Sequence, residues 1–131
     1  MPPEKPVPGS PADWLRHARS DLALAHIALP PEVLREELCF HAQQAAEKAV
    51  KAVIVAYKIA YPKTHNIRTL LDCLPKKLDL PRKVHDAAGL TDYAVMLRYP
   101  GNMEPVTQQE YREALRLAEA VVDWAEKEIK V

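Results

Sequence analysis

This sequence is poor in the residues on which many recognisable sites depend. It holds two cysteines, Cys39 and Cys73, and three glycines among 131 residues. Two cysteines without further ligands complete neither a disulfide framework nor a zinc site, so we expect reduced thiols. We find no Gly-rich phosphate loop, nucleophile elbow or paired-carboxylate site. His17 and Asp21 have metal-capable spacing, but two ligands are too few, and the pattern favours a surface pair.

Net charge and long apolar runs are missing as well. The 18 basic side chains balance 18 acidic ones, so no bulk field draws the protein to nucleic acid or to an anionic membrane, although a local basic patch is allowed. No window approaches the run of about 18 apolar residues that spans a bilayer, and the first residues contain no apolar signal-peptide core. We therefore expect a cytoplasmic protein without a membrane partner.

Proline, in contrast, is abundant, and its positions divide the chain. Nearly all of the 12 prolines lie in the first nine residues or between periodic segments, where they act as breaks. Residues 1–9 are predicted to be a flexible Pro-rich arm. Residues 10–131 are predicted to form a single helical domain, which at this size buries roughly two-thirds of its unfolded surface.

The segment from Glu32 or Arg35 to Ala60 is predicted to be a central helix. It contains no Gly or Pro and is rich in Ala, Glu, Gln and Lys, the strongest helix formers. Apolar residues cover most of its circumference, so it needs close neighbours on two sides. The narrow solvated stripe that remains consists of Gln44, Glu47, Lys48, Lys51 and Lys58.

Four further helices are predicted around the central one. The first begins at the N-cap Ser10 and ends before Pro30, and the third begins at the N-cap Asn66. The fourth follows Pro81, and the last begins with a capping box at 107–110. No segment alternates with period two for long enough to predict a strand. The predicted fold is therefore all-α, a five-helix up-and-down bundle.

Three segments, in the right order, resemble a known family. The sequence FHAQQAAEKAVKA at 40–52 is similar, nearly position for position, to the signature helix of the HEPN domain. Thr64-His65-Asn66-Ile67 resembles the family's short His-led helix. Tyr93 followed by Arg98-Tyr99-Pro100 resembles its Tyr-then-Arg-Tyr-Pro segment. The resemblance covers roughly Trp14 to the C-terminus.

The resemblance implies a bundle of the nucleotidyltransferase-substrate-binding type, similar to the helical domain of kanamycin nucleotidyltransferase, that usually forms a homodimer. It also implies a separate small nucleotidyltransferase as partner in a two-component toxin–antitoxin module, with a nucleotide or RNA as ligand. A ligand-binding cleft is expected where the end of the fourth helix meets the central helix. The predicted cleft residues are His41, Gln44, Lys48, His65, Tyr93, Arg98 and Tyr99. No metal is predicted, and no cofactor beyond that nucleotide ligand.

Most of these residues have a structural interpretation too. His41 could contact a ligand or be a partly buried histidine bonded to a neighbouring helix, and both interpretations stay open. His65, beside an N-cap, more simply ties its loop to the bundle. Arg98 suits a helix C-terminus in any case, but its planar fork also fits phosphate. Tyr93 and Tyr99 could stack on a base, although aromatic residues at such joints more often belong to the core.

Catalysis is predicted only weakly, at Arg98 and His41. Some HEPN proteins cut RNA with an Arg that is followed by a His after four to six residues, whereas no His follows Arg98. Metal-free cleavage needs a proton-transfer group, which His supplies. The pairs Arg19 with His26 and Arg35 with His41 match the spacing, but each lies within one predicted helix in the wrong half of the chain.

Three functions follow from these observations. We favour a nucleotide- or RNA-associated partner of a nucleotidyltransferase that lacks the usual ribonuclease site. The alternatives are a ribonuclease toxin that uses Arg98 with a non-standard base, and a non-catalytic helical dimerisation module.

Overall fold

The computed structural model describes residues 5–27, 32–96 and 105–129, and within these ranges all regular structure is helical. The helices are α1 (Pro11–Ala25), α2 (Arg35–Ala56), α3 (Ile67–Asp72), α4 (Arg82–Asp86), α5 (Thr91–Met96) and α6 (Gln108–Ile129). A 3₁₀ turn, Ala87–Leu90, joins α4 directly to α5, so these pieces together are the predicted fourth helix. The prediction of an all-α, five-helix bundle is confirmed for the described residues. None of their helices has both the length and the apolar character to cross a membrane.

The helix α2 occupies the centre because it is apolar nearly all round. Its buried apolar residues are Leu38, Cys39, Ala42, Ala45, Ala46, Ala49, Val50, Ala52, Val53 and Ile54. The long helices α1 and α6 both pack along it and also contact each other, while α3 and α5 pack at further positions. Because half of these buried residues are alanines, the neighbouring backbones can approach α2 closely.

The predicted helix starts are formed by the predicted side chains. Ser10 and Asn66 each accept a hydrogen bond from the backbone N–H three residues further on, both at 3.2 Å. Thr107 N–H donates to Glu110 Oε1 at 3.0 Å, and Glu110 N–H donates to Thr107 Oγ1 at 3.1 Å. This reciprocal pair is the capping box. An N-cap of this kind stabilises its helix by about 1 kcal/mol.

The C-terminal end of α2 differs from the prediction, which extended the helix to Ala60. Lys58 has a φ of 58°, in the left-handed region. Its N–H donates to the carbonyl of Val55 at 2.9 Å, and Ile59 N–H donates to the carbonyl of Ile54 at 3.1 Å. These two bonds define a Schellman motif, which ends the helix. Glycine is the usual residue at this position, and a lysine there carries no stop signal.

The segment before α1 is tied to the first helical turn. Ser10 N–H donates to the carbonyl of Val7 at 3.0 Å, and Gly9 N–H donates to Asp13 Oδ2 at 3.0 Å. Gly9 has a φ of 78°, which a residue without Cβ adopts at little cost. The division into a flexible arm and one domain stays a prediction. The helix α1 ends at Ala25, with His26 as its C-cap, which is earlier than the predicted end before Pro30.

Candidate functional site

A row of polar side chains runs along α2, between α1 and the loop that precedes α3. At its centre are two buried carboxylates, Asp21 of α1 and Glu47 of α2, which are 8% and 1% exposed. A buried charge without a partner is costly, and each carboxylate has partners. We call the first group, Asp21 with His41 and Lys48, the Asp21 cluster. The second group, the Glu47 cluster, consists of Glu47, Gln43, Lys51 and His65.

The Asp21 cluster joins α1 to α2. Lys48 Nζ donates to Asp21 Oδ2 at 2.6 Å, and His41 Nδ1 lies 3.2 Å from Asp21 Oδ1. His41 and Lys48 are two helical turns apart, so they lie on one face of α2 and flank the carboxylate. The side chains of His41 and Lys48 are 32% and 25% exposed. The carboxylate therefore lies inside, while the imidazole and the ammonium reach solvent.

The position of His41 suits proton exchange as well as binding. In the tautomer with the proton on Nδ1, His41 donates to Asp21 and keeps Nε2 as an acceptor. Among the described residues, none is hydrogen-bonded to Nε2. The ring also packs edge-on against Phe40, with 5.8 Å between centroids, which limits its rotation. The ammonium of Lys48 can bind an anion, and the oriented imidazole beside it can accept a proton from a ligand hydroxyl.

The Glu47 cluster is more deeply buried and joins α2 to the loop before α3. Glu47 Oε2 accepts from Lys51 Nζ at 2.9 Å, and Glu47 Oε1 accepts from Gln43 Nε2 at 2.9 Å. His65 Nδ1 lies 3.0 Å from Glu47 Oε1. The side chain of Lys51 is only 11% exposed. The partners surround both oxygens of the carboxylate, so its buried charge is satisfied within the protein.

Aromatic rings enclose the ammonium of Lys51. Its Nζ lies 5.4 Å from the ring centroid of Trp14 and 5.7 Å from that of Tyr61. The two rings meet edge to face at 6.5 Å. Cations over aromatic faces are stabilised by the ring quadrupole. The side chain of Lys51 thus connects the start of α1, the middle of α2 and the loop before α3.

A comparison with protein families shows which family the chain belongs to. The model of the HEPN domain matches residues 11–129. This chain belongs to the HEPN family. The predicted resemblance is therefore confirmed, and α2, which carries the polar row, contains the 40–52 segment on which that prediction was based.

Two solved structures are similar to this HEPN chain. The protein TT1696 from Thermus thermophilus has a TM-score of 0.78 and 34% identity, covering 92% of this chain and 98% of that one. ST0689, described as an archaeal HEPN homologue, has a TM-score of 0.71 and 26% identity, with the same coverage of 92% and 98%. No curated protein matches the chain.

The HEPN fold brings several predicted cleft residues together. His41 and Lys48 share Asp21, and Gln44 lies between them on the same row, where its Nε2 donates to Gln43 Oε1 at 2.8 Å. His65 is 60% exposed and ties its loop to α2, which is the structural role that its place beside an N-cap indicates. That these residues bind a ligand stays a prediction.

Tyr93 does not join the row. It lies beside Cys39, which faces a different side of α2 from His41. Burial, with smaller contributions from Cys39 and Glu110, raises the pKa of Tyr93 to about 12. Burial, with the charge of Glu36 adding to it, likewise raises the pKa of Cys39 to about 12. Both groups are therefore neutral and unreactive near pH 7.

Tyr93 lines a separate open groove instead. This groove has a volume of about 910 Å³ and lies between the 3₁₀ turn, α5 and the first turns of α6. Its charged lining residues are Glu110, Arg112, Glu113 and Arg116, so both signs are present in equal number. The other predicted cleft residues, Arg98 and Tyr99, lie outside the described residues, and their roles stay predictions.

Asp21 lies at a place in the structure that differs from the predicted one. The prediction of a surface pair with His17 is wrong, since the His17 ring lies 3.7 Å from Asp13 and Asp21 packs onto α2. A signal was available. Asp21 follows Ala18 by three residues and precedes Ala25 by four, so it lies on the buried face of α1.

Glu47 and Gln43 were also misjudged. Glu47 was expected on the solvated stripe, but it is buried, because the loop that carries His65 packs over it. Gln43 is fully buried as well and was not singled out. An amide or a carboxylate on an Ala-rich helix can face solvent as well as a buried partner. No local sequence signal therefore predicts that either residue is buried.

Within the described residues, no group of three or more His, Cys, Asp or Glu side chains is placed to hold a metal ion. The outer groups of the polar row are cationic or acid–base groups, and its inner groups are carboxylates. That arrangement suits an anionic ligand better than a cation.

Proposed function

We propose that this HEPN chain is a nucleotide- or RNA-associated partner of a separate nucleotidyltransferase, in a cytoplasmic two-component module of the toxin–antitoxin type. The observation that carries the proposal is the Asp21 cluster. His41 and Lys48 reach solvent together while the carboxylate that orients them is buried. Phosphate is a ligand that such a pair can bind through charge-assisted hydrogen bonds.

The cluster leaves donors and acceptors for a ligand. The ammonium of Lys48 has three N–H donors, and its bond to Asp21 uses one of them. The Nε2 atom of His41 is a further polar group at the same opening. Gln44, between them, uses one amide hydrogen on Gln43 and keeps its carbonyl oxygen, which can contact a base edge. A phosphate with an attached nucleoside matches these groups.

The partner role without catalysis is supported by the sequence. The ribonuclease pattern of the family needs a His shortly after the Arg, and no His follows Arg98. A chain that retains an anion-binding row but lacks this pair fits a ligand-presenting role. The transfer chemistry would then belong to the nucleotidyltransferase chain.

Binding measurements on purified protein test this proposal. Lys48→Gln removes one charge-assisted contact, worth about 1.5–3 kcal/mol, so nucleotide affinity should fall roughly ten- to a hundredfold. His41→Gln removes the imidazole at the same opening and should also lower the affinity. Lys127→Gln, an exposed lysine on α6, is the matched control and should bind as the wild type does. The proposal fails if no nucleotide is retained or bound, or if the control loses as much affinity. A nucleotidyltransferase gene beside the gene for this chain, with a product that co-purifies with it, would support the partner role.

A second function is favoured by one observation, the Asp21–His41 pair. A carboxylate that holds Nδ1 and leaves Nε2 outward is a common arrangement for a histidine base. This geometry would supply the non-standard base of a ribonuclease. If the purified protein cuts RNA, and His41→Ala abolishes cutting while the exposed His17→Ala does not, the chain is an enzyme and the non-catalytic role is wrong.

Homodimer formation is part of the proposal. Large apolar side chains near the α1–α2 connection, Leu24, Ile27 and Leu34, are exposed in the single chain. A second copy that covers them would remove this apolar surface from water. Sedimentation should therefore show a dimer, and Leu34→Glu should shift it toward monomer, whereas Glu37→Lys on the exposed side of α2 should not. A wild-type monomer at all concentrations would contradict the homodimer.

A further inference from the structure

The groove beside Tyr93 has no part in the proposed function. Its volume of about 910 Å³ lies within the range of about 300–1,000 Å³ that is usual for small-molecule pockets. One wall is formed by the 3₁₀ turn with α5, and the other by the first turns of α6. Tyr93 lies beside Cys39, on a different side of α2 from His41. The groove is therefore separate from the polar row.

The floor of the groove is apolar. Leu90, Ala114 and Leu117 line it and are at most 9% exposed, and the half-buried ring of Tyr93 adds to this surface. Gly89 lines the groove without a side chain, and a Cβ placed on it would meet no atom within 4 Å. The space next to Gly89 is therefore open, and an apolar group that entered it would leave water without displacing a side chain.

Three of the four charged lining residues are engaged within the protein. Glu113 Oε2 lies 3.2 Å from Arg116 Nη1, and Glu110 Oε1 accepts from the N–H of Thr107 at 3.0 Å in the capping box. Arg112, by contrast, is exposed, and no carboxylate in the described part of the chain lies within ion-pair distance of it. Arg112 and Arg116 are about one helical turn apart, on the face of α6 that lines the groove. The guanidinium of Arg112 is thus available to an anionic ligand.

The charges around Arg112 favour a ligand with a single negative charge. The lining holds two Arg and two Glu side chains, so its formal charge is zero. A second negative charge on the ligand would be repelled by Glu110 and Glu113. A phosphate monoester carries nearly two negative charges at neutral pH, whereas a carboxylate carries one and binds a planar guanidinium through two parallel hydrogen bonds. The groove therefore suits a carboxylate better than a phosphate.

We propose that this groove binds a small organic acid, with its carboxylate on Arg112 and its apolar body on the floor of the groove. Burial of the apolar body supplies affinity, and the one guanidinium fixes the orientation of the acid. Such a ligand differs in chemistry and in place from the nucleotide of the polar row. The inference goes beyond the proposed function and does not depend on it.

Titration of naphthylacetate into the isotopically labelled full chain, followed by NMR, tests the inference. The amide signals of Gly89 and Gln109, both in the groove lining, should shift. A dissociation constant on the order of 1–10 mM is expected for a ligand of this size. Naphthylacetamide has the same shape without the charge, so it should bind about tenfold more weakly or worse, because the charge-assisted contact is lost.

Two substitutions test the two parts of the groove separately. Arg112→Gln removes the guanidinium and should lower the affinity for naphthylacetate about tenfold, to that of the amide. Gly89→Leu fills the open space where neither backbone strain nor a clash at Cβ opposes it, so it should abolish the shifts while the melting temperature is kept. Lys127→Gln, exposed on α6 and outside the lining, is the matched control for Arg112→Gln and should bind as the wild type does.

Several results would overturn the inference. These are an absence of shifts at the groove, equal binding of the amide, or wild-type affinity in Arg112→Gln. Tighter binding of naphthyl phosphate than of naphthylacetate would contradict the preference for one negative charge. If Gly89→Leu or Arg112→Gln converts a dimer to a monomer on sedimentation, a second copy of the chain covers the groove and the proposal is wrong. None of these results concerns the Asp21 cluster, so the proposed function is decided by its own nucleotide titrations.

Discussion

The two clusters on α2 contain the same three groups, a carboxylate, a lysine and a histidine, but they differ in burial. In the Glu47 cluster the lysine is enclosed by the rings of Trp14 and Tyr61. In the Asp21 cluster no such cover is present among the described residues, and Lys48 is more than twice as exposed as Lys51, at 25% against 11%. The Glu47 cluster is therefore satisfied within the fold, whereas His41 and Lys48 of the Asp21 cluster reach solvent, as the proposed binding role requires.

The difference shows that composition alone does not distinguish an enclosed cluster from one that reaches solvent. Both lysines lie on one predicted stripe of α2, three residues apart. Their surroundings come from other parts of the chain, since an aromatic pair closes over Lys51 while Lys48 faces the open side of α1. Substitutions at matched positions should therefore change stability at one cluster and binding at the other.

Glu47→Ala should have the largest effect on stability. It leaves the buried ammonium of Lys51 and the amide of Gln43 without their acceptor. Removing one partner of a buried ion pair costs about 3–5 kcal/mol, and urea unfolding followed by circular dichroism measures it. Glu37→Ala, at an exposed position of α2, is the control and should change stability by less than about 0.5 kcal/mol. Equal effects of the two substitutions would contradict the structural role of the Glu47 cluster.

The two lysines offer the second test of the comparison. Lys51→Met loses the ion pair with Glu47 and both ring contacts, so the free energy of unfolding should fall by about 2 kcal/mol. Lys48→Met loses a pair that solvent already reaches, so the cost should be below about 1 kcal/mol. Nucleotide affinity should follow the opposite order and fall mainly in Lys48→Met. Thermal melts and binding titrations on both variants measure the two properties. If the same variant loses more of both stability and affinity, the contrast between the two clusters is wrong.

Much of the fold was predictable because its signals are local. Prolines lie between the helices, Ser10, Asn66 and the pair of Thr107 with Glu110 cap them, and the Ala-rich segment is suited only to a buried helix. The end of α2 was not predictable. It depends on Lys58 in a left-handed conformation, which the rest of the fold holds in place and which no residue preference favours.

For the Asp21 cluster, the sequence predicted the residues on α2 but not the partner on α1 that they contact. The helical period placed Gln44 and Lys48 on one stripe of α2, and the family resemblance placed His41 in the same cleft. The structure shows all three on the polar row. Their shared partner Asp21 comes from another helix, and the register between α1 and α2 depends on packing over their whole length. A helical period carries no information about that register, so the carboxylates that orient the row were visible only in the structure.

Asp21→Asn should have a smaller effect on stability than either substitution at the Glu47 cluster. Asparagine keeps the size of the side chain and can still accept from Lys48, but the charge that attracts both partners is gone. The expected cost is about 1 kcal/mol, with a clear loss of nucleotide affinity because His41 and Lys48 are no longer held together. Asp123→Asn, exposed on α6, is the control in the same melts and titrations. Unchanged affinity in Asp21→Asn would show that the cluster does not prepare a binding site.

The smallest effect concerns pH and the opposite side of α2. Burial raises the pKa of Cys39 to about 12, so the folded protein keeps the thiol neutral while the unfolded chain ionises it from about pH 9 upward. Above the pKa of the unfolded chain, ionisation of the thiol stabilises the unfolded state but not the folded one. The free energy of unfolding should therefore be lower by about 0.5 kcal/mol at about pH 9 than at neutral pH. Cys39→Ala should remove this decline, whereas Cys73→Ala, at a partly buried position, should keep it.

Because neither carboxylate cluster includes Cys39, the Glu47 and Asp21 variants should show the same alkaline decline as the wild type in urea titrations at each pH. A decline that disappears in either variant would mean that the two sides of α2 are coupled, and the separate roles assigned to its clusters would have to be withdrawn.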